Sequence, residues 1–345
     1  MKDVVWLHIG PHKTGSSAIQ KALQDYDDGT TRVARLGRPN HSIALTAAFK
    51  IDLTQSLIFT RMGIDAEAAG KLRAETLNRL VEELAGPAAR LVLSAEAVSN
   101  FTAADFEALT SFLMPFTRDI RVLAYARAPI DMLSSLVQQR IRSGRTEALP
   151  DDYLYRSRFG SAVQVLGAEK VQVGRFDPAS FVGRSLIRDV YNRLQLTASP
   201  PEDQLVHAGL SRAALAVLLD WNASEGAAQG SPERVRARNR VINLLGATFP
   251  GRFRLSPDIV RGLVQKPDLE WLFQTFGIDF RDNCQSETRD GDLRSLDDFK
   301  ADLREVESKV VELAQGYGLD LGDASAASAL TALYRMFQAQ PRAPR

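Results

Sequence analysis

The sequence predicts an α/β protein: a three-layer fold with a central parallel sheet, joined to a mostly helical C-terminal subdomain. Three observations predict it. Short, largely apolar runs at 4–9, 91–94 and 121–126, the first without polar alternation, have the texture of buried strands, and 171–176 reads as a fourth core strand. Stretches of helical period separate these runs, and strands that alternate with helices form parallel sheets through right-handed crossovers. After residue 197, strand signals become scarce and helical periods dominate.

The elements follow in chain order. Val4-Val5-Trp6-Leu7-His8-Ile9 is the first strand, and His8 within it has the setting of a core histidine. A turn over 10–17 leads into a helix at 16–24, with Ile19, Ala22 and Leu23 on one face. A second strand is expected at 32–36, ending at Gly37-Arg38-Pro39. The period of 65–85 predicts a helix that turns Leu72, Leu77, Leu80, Val81 and Leu84 inward. Strands at 91–94 and 121–126, a helix at 130–142 and a strand at 171–176 complete a core spanning 1–197. The run Ala-Ser-Pro-Pro-Glu-Asp at 198–203 marks the boundary of a helical subdomain, 198–345, with helices expected at 211–224, 232–248, 256–264 and 297–316. The tail 340–345 is expected to fray.

Composition narrows the function. The 345 residues carry 43 Lys plus Arg against 42 Asp plus Glu, a net charge of +1. General nucleic-acid binding needs a basic excess, which is missing here. Cys284 is the one cysteine, so an internal disulfide is excluded and a cysteine-based zinc site is not expected. No stretch approaches the ~20 apolar residues of a membrane span. The N-terminal apolar run is too short for a signal-peptide core, so a cytoplasmic location is expected.

The chemistry concentrates in the first turn. Gly10-Pro11-His12-Lys13-Thr14-Gly15-Ser16-Ser17 has two glycines five residues apart between a buried strand and a helix, the frame of a phosphate-binding loop. Glycines let backbone N–H groups turn around an anion, and the helix N-terminus adds positive potential. Nucleoside triphosphatases place Lys directly after the second glycine. Ser16 stands there in this chain, and Lys13 lies inside the loop, where it meets a phosphate closer to the loop itself. The arrangement suits one 5′-phosphate and the group attached to it, on a P-loop-type fold.

On these residues the loop resembles that of sulfotransferases that use 3′-phosphoadenosine 5′-phosphosulfate (PAPS), with His12 inserted between Pro11 and Lys13. The resemblance implies that His12, Lys13, Thr14, Gly15, Ser16 and Ser17 bind the 5′-phosphosulfate, with PAPS as cosubstrate and no metal. The same family has a 3′-phosphate motif, an Arg at a strand end with a Ser eight positions on. Arg127 and Ser135 fit that spacing, with Ser134 as the neighbouring alternative. Arg binds phosphate bidentately. Pro129 and Asp131 suit the first turn of the helix between them.

Sulfuryl transfer builds charge on the leaving 5′-phosphate, and Lys13 is placed to neutralise it. The acceptor must lose a proton, which calls for a general base. Two residues compete for that role: His41, in Asn40-His41-Ser42 beyond the second strand, and Glu96, in Ser94-Ala95-Glu96 after the third. His41 titrates near neutrality by nature, whereas Glu96 needs a raised pKa. The pair is also compatible with Glu96 orienting His41. Arg175, at the end of the last strand, either borders the adenosine or forms a surface ion pair. The expected acceptor is a small molecule, a glycan or a lipid head group. The competing readings are a P-loop nucleotide kinase-like enzyme and a catalytically inactive scaffold that binds adenosine 3′,5′-bisphosphate (PAP).

Overall fold

The computed structural model describes all residues except 12, 57–58, 60–62, 151–152, 204–208, 226–230, 323 and 341–345. Five parallel strands form one sheet: β1 (Val4–His8), β2 (Thr31–Val33), β3 (Arg90–Ser94), β4 (Ile120–Ala126) and β5 (Val171–Arg175), in the order β2-β3-β1-β4-β5. The α/β architecture around a central parallel sheet is as the apolar runs predict. β1 lies in the middle, with His8 in register with Ser94 of β3 on one side and Leu123 of β4 on the other. β2 is shorter than expected. Ala34 still donates to the Val92 carbonyl, but Gly37 at φ 90° turns the chain away from the sheet edge.

In chain order the helices are α1 (Ser16–Ala22), α2 (Ser42–Phe49), α3 (Ala66–Ala85), α4 (Ala103–Leu113), α5 (Pro129–Arg142), α6 (Arg156–Leu166), α7 (Leu186–Arg193), α8 (Arg212–Glu225), α9 (Pro232–Thr248), α10 (Pro257–Leu263), α11 (Lys266–Phe276), α12 (Asp297–Gln315) and α13 (Ala326–Ala339). The chain forms two compact units. The first comprises Met1–Ala128, Leu154–Val206 and Lys266–Phe280, and the second comprises Pro129–Tyr153, His207–Gln265 and Arg281–Arg345. A single cut at 197 does not separate them, for reasons visible in the bonding. Thr197 donates through its amide to Tyr26 Oη and through its hydroxyl to Asp28. The Asp203 carboxylate accepts from Ser185 Oγ at 2.7 Å and from the amides of Leu186 and Ile187.

The first unit holds the sheet. On one sheet face, Trp6, Val92, Leu123 and Tyr125 pack against Ile19 and Leu23 of the α1 segment and Ile187 and Val190 of α7. A buried polar group is built into this layer: Asp189 accepts from Tyr125 Oη and Arg193 Nε, each at 2.6 Å. Opposite-charge and neutral partners together meet the desolvation cost of that carboxylate. α6 has no side-chain cap of its own. Asp268 supplies one, accepting from the amides of Tyr155 (2.6 Å) and Arg156 (2.8 Å), and this ties 266–280 to the sheet-bearing unit. On α3 the inward stripe is Ala69, Thr76, Leu80 and Leu84. Val81 is 41% exposed because it lies about 100° around the helix from Leu80, off the stripe.

The second unit is helical, built from α5, α8, α9, α10, α12 and α13. α8 packs against α5, α12 and α13. Trp221 donates to Thr331 Oγ1, and Asn222 donates to the Ile141 carbonyl. Arg238 donates to Asn222 Oδ1 and stacks 4.8 Å from the Trp221 ring. Among the described residues no helix is long and apolar enough to cross a membrane.

Candidate functional site

The strand order places the site. The chain leaves β1, fills the β3 and β2 side, then returns to add β4 on the other flank, so the order reverses between β1 and β4. Open α/β sheets bind ligands at the carboxyl ends of strands beside such a reversal. The connections leaving that edge are the 9–15 turn after β1, Ala95-Glu96 after β3 and Arg127 after β4.

The turn after β1 is curled by two left-handed residues, Lys13 (φ 73°) and Gly15 (φ 75°). For a lysine this conformation costs roughly 1–2 kcal/mol. Gly15 is required twice over: by its φ, and because a Cβ there would lie 2.3 Å from Leu186 Cδ2 and 3.2 Å from the Phe176 ring. Gly15 occupies the N-cap position of α1. Thr14 is buried, its hydroxyl donating to the Pro11 carbonyl at 2.7 Å. Ser16 is buried too, and its hydroxyl reaches the Gly10 and Pro11 carbonyls over longer distances of 3.3 and 3.4 Å. Ser17 is the exposed hydroxyl at the start of α1. His12 lies outside the described residues, as does His207.

Arg127 meets this turn directly. Its Nη1 donates to the Lys13 carbonyl at 3.0 Å, and its guanidinium carbon lies 5.5 Å from the Phe176 ring centre. Tyr155 Oη donates to the Arg127 carbonyl at 2.6 Å. The two cationic residues singled out by sequence therefore sit side by side at the β1/β4 reversal. Ser134 is committed elsewhere: its hydroxyl donates to the Ile130 carbonyl and accepts from the Leu255 amide, both within the helical unit. Ser135 is half-buried on α5. Arg175 is in the ion pair that sequence allowed for, with Asp177 at 3.6 Å, and it also donates to the Asp279 carbonyl.

Behind the turn lies a buried cluster centred on Ser94. His8 Nδ1 and Ser94 Oγ are 2.7 Å apart. A Cβ on Gly10 would lie 2.8 Å from both His8 Nε2 and Ser16 Oγ, so this ring supports the floor of the turn. His41 and Ser94 exchange two bonds. The His41 amide donates to the Ser94 carbonyl at 2.9 Å, and the Ser94 amide donates to His41 Nδ1 at 3.1 Å. Both rings are buried, and burial pushes each well below the usual 6.5, to about 4; the Glu96 charge opposes the shift at His8, as the Ala34 carbonyl does at His41. A neutral His41 whose Nδ1 accepts a backbone bond carries its proton on Nε2. That nitrogen is an N–H donor, so neither nitrogen offers a lone pair to a substrate proton. Glu96 is half-buried in the first turn of a short 3₁₀ helix, and Asn40 Nδ2 donates to its Oε1 at 3.3 Å.

The sequence offers Phe176, with Arg175 and Asp177, as a border of the adenosine, and it packs beside Gly15. Leu186, which also meets Gly15, and Tyr155, which bonds Arg127, carry no signal in the sequence. His8 was legible as a core histidine, but its bond to Ser94 requires the register of β1 with β3. Among the described residues, no group of three or more His, Cys, Asp or Glu side chains is placed to hold a metal ion.

No protein-family model matches this chain, and no curated protein matches it. Among solved structures, it is similar to a sulfotransferase from Alicyclobacillus acidocaldarius, at 14% identity and a TM-score of 0.36, over 64% of this chain and 93% of that one.

Proposed function

We propose that the protein is a sulfotransferase that moves a sulfuryl group from PAPS to a hydroxyl or amine acceptor by in-line displacement. One observation carries the reading: Arg127 bonds the backbone of Lys13 at the sheet's reversal point, so both residues expected to grip a bisphosphorylated nucleotide belong to one strand edge. Lys13 is the group that neutralises charge on the leaving 5′-phosphate, aided by the exposed Ser17 and the N-terminus of α1. Thr14 and Ser16 shape the turn from within, and Gly15 gives it room; His12 belongs to the same phosphosulfate site. Arg127 takes the 3′-phosphate, for which the family motif also assigns Ser135.

Glu96 is the base on this reading. It leaves the sheet edge beside β1 and is half-buried, and Asn40 donates to one of its oxygens; a carboxylate has lone pairs for several such donors at once. His41 then acts as a positioning residue that pins the 33–41 connection, and with it Asn40, to the end of β3.

The test uses PAPS with radiolabelled sulfur and a panel of hydroxyl and amine acceptors. Wild type is expected to label at least one acceptor, and Lys13→Ala is expected to lower turnover about 10²–10³-fold with the fold intact. Glu96→Gln is expected to lower kcat by at least about 10²-fold and to remove the acid limb of its pH profile. Near-normal turnover by Lys13→Ala would refute the role given to that residue.

A further inference from the structure

A cavity with mixed polar and apolar walls lies in the sheet-bearing unit. It occupies about 190 Å³ between α1 and the connection from β2 to α2, and its lining includes Gln20, Gln24, Asp25, Arg35, Arg38 and His41. We propose that this cavity binds a small oxyanion (sulfate, phosphate or a carboxylate group), with Gln20 and His41 as inner donors and Arg38 as the charge at its mouth. The proposal does not rest on the sulfotransferase reading.

The inner donors carry the argument. Gln20 is 5% exposed and His41 1% exposed, and Gln20 Nε2 and His41 Nε2 are both buried without a hydrogen-bond partner. His41 Nε2 is an N–H because Nδ1 already accepts the Ser94 amide. The Ala34 backbone opposes the downward shift of His41, yet no hydrogen bond of normal geometry reaches Nε2. Both orphaned atoms are therefore donors that line one cavity. Leaving a buried donor unsatisfied costs about 1–3 kcal/mol, so two at one site are best explained by a partner rich in acceptors. Sulfate and carboxylate offer only acceptors, and phosphate offers mostly acceptors.

The charge around the cavity agrees. Arg35 and Arg38 stand at the exposed rim, and a Cβ on Gly37 between them would lie 3.1 Å from Arg79 Nη1. Asp25 is the acidic residue of the lining, and Arg35 faces it at 4.0 Å. Arg38 has no ion pair or hydrogen bond among the described residues. A water molecule takes about 30 Å³ in the liquid, so the volume suits one small anionic group and a few waters rather than a nucleotide.

The experiment uses full-length protein carrying Lys13→Ala, which removes the lysine of the loop as a competing anion site. Its melting temperature and calorimetric binding are measured with sodium sulfate, phosphate and acetate against sodium chloride at matched ionic strength. At least one of the three is expected to stabilise the protein beyond chloride. Adding Gln20→Leu or Arg38→Ala is expected to weaken that effect about ten-fold or more. Gln20→Leu removes an unpartnered amide, so it is expected to melt no lower than its parent. The His41 ring ¹⁵N signal, assigned by its loss in His41→Asn, is expected to report an Nε2–H that shifts during the titration. A response to sulfate or phosphate alone marks a tetrahedral anion, and an equal response to acetate marks a carboxylate. Stabilisation no greater than chloride's, or binding that persists unchanged in both Gln20→Leu and Arg38→Ala, would overturn the proposal.

Discussion

Acidification should unfold this protein through two rings that share one serine. His8 and His41 are held neutral by burial, each near 4 when folded against 6.5 when free. The unfolded chain then binds protons more readily than the native state across that interval. Their contribution is complete above about pH 6.5, falls as the pH drops, and is fully lost below about pH 4. For one ring with these two values, linkage gives a loss of about 2 kcal/mol between pH 7 and pH 5. Two independent rings would lose about 4 kcal/mol, a large share of the 5–15 kcal/mol of a typical domain. Because both bond to Ser94, the sum need not be strictly additive. The assay is urea unfolding from pH 7 to pH 5 on wild type, His8→Asn and His41→Asn. Carboxylate contributions are common to all three and cancel in the comparison. Each variant is expected to show a pH loss smaller than wild type by about 2 kcal/mol. Ring titration by NMR on wild type checks the same point if a variant fails to fold. An identical pH loss in His8→Asn, or ring pKa values at or above 6.5, would refute the reasoning.

Two further substitutions test the packing around the site. Gly15→Ala must hold a left-handed alanine against Leu186, so a loss of about 3 kcal/mol is expected in denaturant unfolding, together with loss of any nucleotide binding. Asp189→Ala leaves Arg193 and Tyr125 without the carboxylate they share. It is expected to cost about 3–5 kcal/mol, whereas a change under about 1 kcal/mol would show that the buried pair is not structural.

The parts of this molecule that were legible in the sequence are those governed by local rules. A both-faces-buried strand has no alternation, so β1, β3 and β4 stand out as apolar runs. The turn after β1 stands out because glycine spacing and a following helix are properties of adjacent residues. Helix α2 does not stand out: Ser42–Phe49 has buried residues around most of its circumference, which erases the periodic contrast that marks a surface helix. The same limit explains the units. Thr197 and Asp203 belong with the sheet because of bonds to Tyr26, Asp28 and Leu186, partners that no composition shift reveals. Motif spacing singles out Lys13 and Arg127, but their adjacency follows from the strand order rather than from any local signal. The proton position of His41 is not legible in the sequence, since it depends on the backbone amide of Ser94 in β3.

The proposed function stands or falls with whether Lys13 and Arg127 together hold a bisphosphorylated adenosine. Titration calorimetry with PAP in the presence of a chelator, on wild type, Lys13→Ala and Arg127→Ala, addresses it most directly. Wild type is expected to bind PAP, and each variant to bind it at least about ten-fold more weakly. Wild-type binding of ATP with magnesium but not of PAP, or equal PAP affinity in all three proteins, would contradict the proposed function.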